Sequence, residues 1–294
     1  MKIGFVGLGV MGKPMANNLV KNGHTVIGFD VVTDNLAKAA QFGVKPADSL
    51  KEAVEDVDVV ITMLPNGSHV NSVALGDGGM SSYSKKGTLL IDMSSISTSD
   101  SVEISEGLKK FDIRMIDAPV SGAYSGAIEG KLAIMVGGAD EDVEFAMPIL
   151  SCMGSKIVHI GPSGSGCTCK LANNIIIANN LAAVCEAMMF AKKAGCDLNK
   201  VFDVVSSGFA GSTALNSTVP RILAENYEPG FTIALHLKDL NNALVAGESV
   251  GAPLPLAEHM KEVMEEMTAD GLAGKDNSGI ALYYEKIAND KYVD

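Results

Sequence analysis

Lys2-Ile3-Gly4-Phe5-Val6-Gly7-Leu8-Gly9-Val10-Met11-Gly12 is the stretch that decides the fold. An apolar strand pattern runs straight into G-x-G-x-x-G. Helical spacing follows over residues 11–22, and a second apolar run, Thr25–Phe29, ends on Asp30. A strand, a glycine turn, a helix and a second strand closed by an acid is the dinucleotide-binding arrangement. Each glycine has a task. Gly7 permits the tight turn, Gly9 lets the backbone approach a pyrophosphate, and Gly12 lets helix and strand pack closely. Leu8, Val10 and Met11 complete the phosphate-facing turn. The helix N-terminus then offers N–H groups and a positive dipole end to the phosphates. Asp30 is placed to accept hydrogen bonds from the adenosine ribose, and its charge would repel a 2′-phosphate. Val31, Val32 and Thr33 follow it, with no Arg or Lys to hold such a phosphate. The expected cofactor is therefore NAD(H) in preference to NADP(H).

The alternation continues. Residues 57–64, apolar apart from Asp58 and Thr62, form the kind of run that a strand covered on both faces requires. Further strands are expected at 88–91, 114–116, 132–136 and 156–160. Helix starts fall between them, at the Ser49/Glu52 capping box and at a similar Asp100/Glu103 pair. This is the pattern of an α/β Rossmann-type doubly wound parallel sheet. After Gly161-Pro162-Ser163-Gly164 it changes. One helix is expected over about 167–194, on the order of 40 Å long. It is apolar or small on nearly every face, so it should be buried between partners. Helices at 199–206, 212–223, 237–250, 255–270 and 278–287 complete an all-α half. The expected domains are 1–162, a dinucleotide-binding Rossmann domain, and 163–294, an all-α domain led by the long interdomain helix, completing the substrate site and an oligomer interface.

Composition narrows the function classes. The 294 residues carry 23 Lys and Arg against 35 Asp and Glu, a net charge of −12, which disfavours a nucleic-acid partner. No unbroken apolar run of membrane-spanning length is present, so no membrane partner is expected. The N-terminus shows no secretory or transit pattern, and the five cysteines match neither a disulfide framework nor C-x-x-C. A cytoplasmic protein with free thiols is expected. The five scattered histidines show no ligand spacing, and no metal is expected.

Three segments end buried strands where open α/β sheets bind ligands: Met63-Leu64-Pro65-Asn66, Asp92-Met93-Ser94-Ser95 and Asp117-Ala118-Pro119-Val120-Ser121-Gly122. Any one is compatible with ordinary turn chemistry; three at successive strand ends point to a lined cleft. Lys170 lies inside the apolar long helix, where lysine is rarely buried without a purpose. Asn173 and Asn174 follow at i+3 and i+4 on the same face. The alternatives are a lysine reaching into a cleft and a snorkelling or capped structural lysine. Lys238, beside Asp239, reads as a mixed-charge helix N-terminus.

With these segments in view, the chain resembles the β-hydroxyacid dehydrogenase family over residues 1 to about 290. The carrying strings are Gly7 to Ala16, Asp117 to Gly122, Gly164-Ser165-Gly166 with Lys170 and Asn174, and Lys238-Asp239-Leu240. The resemblance implies a Rossmann domain, a long interdomain helix and an all-α domain that forms a homodimer or homotetramer. It implies Lys170 as the catalytic residue, with Ser121, Gly122, Ala123, Asn173 and Asn174 at the substrate. Leu64, Pro65, Ser95, Phe231 and Lys238 join Gly7, Leu8, Gly9, Val10, Met11, Gly12 and Asp30 along the cofactor. The substrate implied is a small carboxylate-bearing semialdehyde or the corresponding hydroxyacid. The nicotinamide would exchange hydride with it, and Lys170 would exchange the proton. Two positions depart from the family's strings. Ala123 stands where Gly is usual, and Asn174 where one branch carries Gln. A non-catalytic dinucleotide-binding protein is the rival class; the presence of Lys170 and the lack of a basic extension argue against it.

Overall fold

The computed structural model describes residues 1–293. They fall into two compact units, Met1–Lys170 and a second from Leu171 onward.

The first unit runs β1 (Lys2–Val6), α1 (Gly12–Lys21), β2 (Thr25–Phe29), α2 (Thr33–Ala40), β3 (Lys45–Pro46), α3 (Leu50–Val54), β4 (Val59–Thr62), α4 (Gly67–Leu75) and α5 (Met80–Tyr83). It continues through β5 (Leu89–Asp92), α6 (Thr98–Lys109), β6 (Arg114–Asp117), β7 (Val120–Ser121), α7 (Ala123–Glu129), β8 (Leu132–Gly137), α8 (Asp140–Leu150) and β9 (Gly154–Gly161). Strands β3-β2-β1-β4-β5-β6 pair in parallel in that order. This is the Rossmann order, with its switch point between β1 and β4.

Alternate residues of the central strands feed two cores. Ile3, Phe5, Val59, Ile61, Leu89 and Ile91 pack on one face with Met15 and Leu19 of α1. Val6, Val60, Leu90 and Met115 pack on the other with Val54, Val70 and Ile104. Covering both faces is why these strands read as unbroken apolar runs.

The strand expected at 132–136 departs from the parallel series. β8 pairs antiparallel with β6 and β7, and β9 then runs parallel to β8. β7 follows β6 after only Ala118 and Pro119, and the seven-residue α7 is too short to return the chain along the sheet for a parallel crossover.

Helix starts are mostly as the capping residues demand. Ser49 Oγ accepts from Glu52 N, and Glu52 reaches back to Asp48 N. The Asp100/Glu103 start is corrected: Ser97 is the cap and accepts from Asp100 N, so α6 begins at Thr98.

In the second unit α9 (Ser165–Lys193), whose first turns belong to the first unit, is followed by α10 (Leu198–Ser207), α11 (Thr213–Leu223), α12 (Ile233–Ser249), α13 (Pro255–Ala269) and α14 (Ile280–Ala288). Its core gathers Ala178, Leu181, Cys185, Met188, Val219, Ile222, Met260, Met264 and Met267. The methionines serve there as flexible fillers of irregular gaps. α12 starts four residues earlier than its apolar pattern indicates, because Thr232 caps it by accepting from Leu235 N. Lys238 and Asp239 therefore lie in its second turn, which corrects their reading as an N-terminus.

α9 is long and apolar enough to cross a membrane by length and composition. Its buried face belongs to the core just described, and Asn173, Asn174, Asn179 and Asn180 interrupt it. The expectation of burial on every face is corrected as well. Ala172, Ile176, Ala183, Ala187 and Phe190 share one helical face and are exposed on the single chain.

A Cβ added at Gly12 would lie 1.9 Å from Gly7 O, whereas one added at Gly9 would meet nothing within 4 Å. Gly12→Ala is therefore expected to destabilise the fold by about 1–3 kcal/mol. Gly9→Ala should leave stability nearly unchanged, and urea unfolding of the two variants checks the contrast.

Candidate active site

The glycine turn leaves β1 at Gly7, whose φ of +95° only glycine adopts without strain. Its missing Cβ also lets the turn lie against Met63 O and Leu64 after β4. No side chain caps α1, and its first turn holds no acid. Helices α3, α4, α6, α10, α11 and α12 each have a capping side chain. The bare N-terminus of α1 and the open space beyond Gly9 fit a pyrophosphate held by backbone N–H groups.

Asp30 closes the turn. Its Oδ2 accepts from Leu8 N at 2.7 Å and Asn35 Nδ2 at 3.1 Å, and its Oδ1 accepts from Val32 N at 2.8 Å. Three donors thus hold a carboxylate beside the glycine loop, with lone pairs remaining for a ribose. Asn35 escaped the sequence reading; an amide five residues past an acid carries no motif. Val10 and Pro65 are exposed, Gly9, Met11, Leu64 and Ser95 half-buried, and Leu8 buried.

Behind these loops runs a row of buried polar groups. Thr62, Asp92 and Asp117 are register partners on β4, β5 and β6, and all are fully buried. Asp92 Oδ1 accepts from Thr62 Oγ1 (2.7 Å), Ser94 Oγ (2.6 Å) and Ser94 N (3.2 Å). Ser94 Oγ in turn accepts from Leu64 N at 2.9 Å. The β4 and β5 loops are thereby tied to one carboxylate. Among the described residues Asp92 Oδ2 has no hydrogen-bond partner. Burial pushes the Asp92 carboxyl up to about 6, against the pull of its Ser94 and Thr62 donors. Asp117 Oδ1 accepts from Gly164 N (2.7 Å) and Oδ2 from Cys167 N (2.8 Å). Burial raises the Asp117 carboxyl too, opposed by those N–H groups. The Cys167 thiol is raised well above its ordinary value by burial, then by the Asp117 and Asp92 charges, so it is no nucleophile.

Ser121 is half-buried at the end of β7, and Gly122 and Ala123 are exposed at the start of α7. Gly122 has φ +135° and Ala123 φ +55°. The departure from glycine at 123 therefore falls on a left-handed backbone position, which costs an alanine about 1–2 kcal/mol. Lys170 is 9% exposed on α9.

In the second unit Asn174 is buried and its Nδ2 donates to Asp239 Oδ2 at 2.6 Å. Its Oδ1 accepts from Asn173 Nδ2 at 3.0 Å. His236 Nε2 donates to Asn174 O at 2.9 Å, and Phe231 lies against the His236 ring at 5.1 Å. Lys238 Nζ is 3.1 Å from Asp239 Oδ1. Asp239 and His236 are the residues that sequence reasoning missed here. The signal available was an acid and a histidine at helical spacing around Lys238. All five cysteines are free thiols, and among the described residues no cluster of three or more His, Cys, Asp or Glu could hold a metal ion.

Because the Asp92 carboxyl is raised in the fold, the folded state keeps a proton that the unfolded chain has lost. The stability this supplies is full below about pH 4 and is lost as pH rises through about 6. A difference of that size is worth on the order of 3 kcal/mol. Asp92→Asn keeps an acceptor for Thr62 and Ser94 and removes the buried charge. Thermal melts are expected to show the variant gaining on the parent at about pH 8 and losing that gain near pH 4.

The family described as the NAD-binding domain of 6-phosphogluconate dehydrogenase matches residues 2–161, and that described as NAD-binding of NADP-dependent 3-hydroxyisobutyrate dehydrogenase matches residues 164–284. The chain is 39% identical to the 2-hydroxy-3-oxopropionate reductase of Escherichia coli, covering 99% of each chain. It is 35% identical to the 2-(hydroxymethyl)glutarate dehydrogenase of Eubacterium barkeri, over 98% of this chain and 96% of that one. The solved 3-hydroxyisobutyrate dehydrogenase of Mycobacterium tuberculosis with L-serine superposes with a TM-score of 0.89 at 36% identity, covering 96% of this chain and 98% of that one. With the glycine turn and both halves accounted for, the chain belongs to the β-hydroxyacid dehydrogenase family and is an NAD(P)-dependent hydroxyacid dehydrogenase.

Proposed function

We propose that this enzyme interconverts tartronate semialdehyde (2-hydroxy-3-oxopropanoate) and D-glycerate, with Lys170 as the general acid and base. The observation that carries the role of Lys170 is an ammonium group, 9% exposed, on a largely apolar helix. The nicotinamide, when bound, supplies the hydride. The Lys170 ammonium gives a proton to the carbonyl oxygen as negative charge builds there; in the reverse direction the neutral amine takes the hydroxyl proton. The Ser121 hydroxyl and the N–H groups of Gly122 and Ala123 hold the substrate carboxylate. Asn174, one N–H of which is spent on Asp239, keeps a second for the substrate hydroxyl. Asn173 steadies the Asn174 amide.

The choice of substrate rests on likeness. Gly208-Phe209-Ala210-Gly211-Ser212-Thr213, Pro229-Gly230-Phe231, Leu235 to Leu240 and Tyr283-Tyr284-Glu285-Lys286 look like the strings of 2-hydroxy-3-oxopropionate reductases. The full-length relative of that name is in keeping with this. Asn174 supports a second reading, a 3-hydroxyisobutyrate or 2-(hydroxymethyl)glutarate dehydrogenase, since Asn is common at that position in those enzymes.

NAD(H) is the proposed cofactor in preference to NADP(H). Asp30 is held by three donors beside the glycine turn, where it would meet the adenosine ribose, and Val31 and Val32 offer a 2′-phosphate no donor beyond backbone. The exposed stripe of α9 from Ala172 to Phe190 is of the kind that a second copy covers, in keeping with a homodimer or homotetramer; light scattering measures the assembly.

Lys170→Ala is expected to lower kcat by orders of magnitude with NADH affinity nearly constant, measured by NADH oxidation and fluorescence titration. Retained turnover would show that another group is the acid. Catalytic efficiencies on tartronate semialdehyde, 3-hydroxyisobutyrate and 2-(hydroxymethyl)glutarate choose among the substrates. Asp30→Ala should raise KM for NADH more than it lowers kcat; a parent enzyme with a large preference for NADPH would overturn the assignment to NAD(H).

A further inference from the structure

We propose that Asp117 is a positioning residue for Lys170, bolting the first turn of α9 to the sheet at the strand end that also leads into Ser121. The proposal rests on the reading of Lys170 as the proton donor.

Six helices of this chain are capped by a side chain at their own N-terminus, which fixes a helix end only relative to itself. The start of α9 is held differently. The carboxylate that accepts from Gly164 N and Cys167 N comes from β6, 47 and 50 residues earlier in the chain. Both N–H groups are among those a helix N-terminus leaves unmatched, and a carboxylate there is favoured by the helix dipole. One group spanning two N–H donors three residues apart sets the rotation of the turn as well as its height. Lys170 follows Cys167 by three residues and so lies one turn further on the same side of the helix.

The surroundings leave the carboxylate no room to shift. A Cβ at Gly137 would come within 2.6 Å of Asp117 Oδ1, and one at Gly166 within 2.8 Å of Oδ2 and 2.4 Å of Met135 O. Backbone from β8 and from α9 itself therefore closes on Asp117 directly. Asp117 is fully buried and stands four residues before Ser121. It acts on Lys170 through the start of the helix and is joined to Ser121 through the chain.

Asp117→Asn preserves shape but can accept with only one oxygen. It turns an N–H donor toward a second donor at the helix start. A small displacement of a reacting group is enough to cost about 10²-fold in rate. The variant is expected to lower kcat by roughly 10- to 100-fold while KM for NADH changes less than about twofold. The decisive measurement is a double-mutant cycle read by single-turnover NADH oxidation. In a Lys170→Ala background the Asp117→Asn change should produce no further loss, because the amine it positions is gone. A folded Asp117→Asn enzyme with parental kcat, or losses that multiply in the double variant, would overturn the proposal. If Asp117→Asn fails to fold, Asp117→Ser serves in its place. Its smaller side chain fits the same space and offers one acceptor oxygen where the carboxylate offers two, and the same two outcomes apply. The readings separate cleanly. An active Lys170→Ala enzyme ends the assignment of Lys170, whereas an inactive one alongside an unimpaired Asp117→Asn enzyme ends this proposal alone.

Discussion

Asp92 and Asp117 stand side by side on adjacent parallel strands, both without solvent exposure. Carrying two carboxylates into such a place costs several kcal/mol each unless donors compensate. A hydrogen bond to a charged group returns about 1.5–3 kcal/mol, and donors meet both carboxyls. Asp117 has an N–H on each oxygen and the positive end of a helix beyond them. Asp92 has its donors on one oxygen and, among the described residues, none on the other; burial raises both carboxyls, that of Asp92 to about 6. The arrangement is costly, and what it accomplishes is mechanical. Through Ser94 it sets the Leu64 loop, and through Gly164 and Cys167 it sets the start of α9. Loops at successive strand ends thus refer to one rigid row instead of to solvent.

Close approach does the equivalent work at the glycine turn. Gly7 and Gly12 are glycines because backbone occupies the space a side chain would need. Gly9 is different, since its missing side chain faces open space. Packing does not require that glycine, and the open space leaves its backbone approachable by a ligand. Ala123 presents the opposite case. Its φ of +55° is a glycine conformation borne by an alanine, in the loop proposed to hold a carboxylate. Strain of this kind persists where the surrounding chain over-determines the backbone. Here Gly122 before it and the α7 helix that it opens leave the residue little choice.

The parts legible in the sequence were those whose physics is local. The β1–α1–β2 unit announces itself because turn, helix start and closing acid lie within thirty residues. The long helix does so because apolar and small residues dominate it and no Pro or Gly breaks it between Cys167 and Ala194. α2 and α4 are not announced, since short helices on a sheet's outer layers carry few buried apolar positions and resemble loops. α8 is apolar enough, but three acids open it and Pro148 sits inside it, so its pattern reads as a break. Ser97 was passed over as the cap of α6 because two acids three residues apart resembled a capping box further along. The reversal of β8 depends on the length of α7 and on no residue preference. In the site, Lys170 was visible as a charge in apolar surroundings. Asp117 was visible only as a member of a string; its bonds join residues some fifty apart, and no pattern in either segment encodes them. The same holds for Asp239, whose partner Asn174 lies 65 positions away.

That last pair bears on substrate choice within the family. Asn174 reaches Asp239 at 2.6 Å while its main-chain oxygen accepts from His236, so side chain and backbone are both fixed. Asp239 is itself buried beside the Lys238 ammonium. A glutamine at 174 would carry its amide one methylene further from the helix, and the short bond to Asp239 would need that carboxylate or its helix to retreat. Residue 174 is therefore coupled to residue 239, and through it to Lys238. A change from Asn to Gln made alone would strain a buried hydrogen bond before it altered contact with any substrate. The amide identity at 174 consequently reports on how the second unit is packed as well as on what is bound. Its value as a marker of substrate is lower than its position in the string implies.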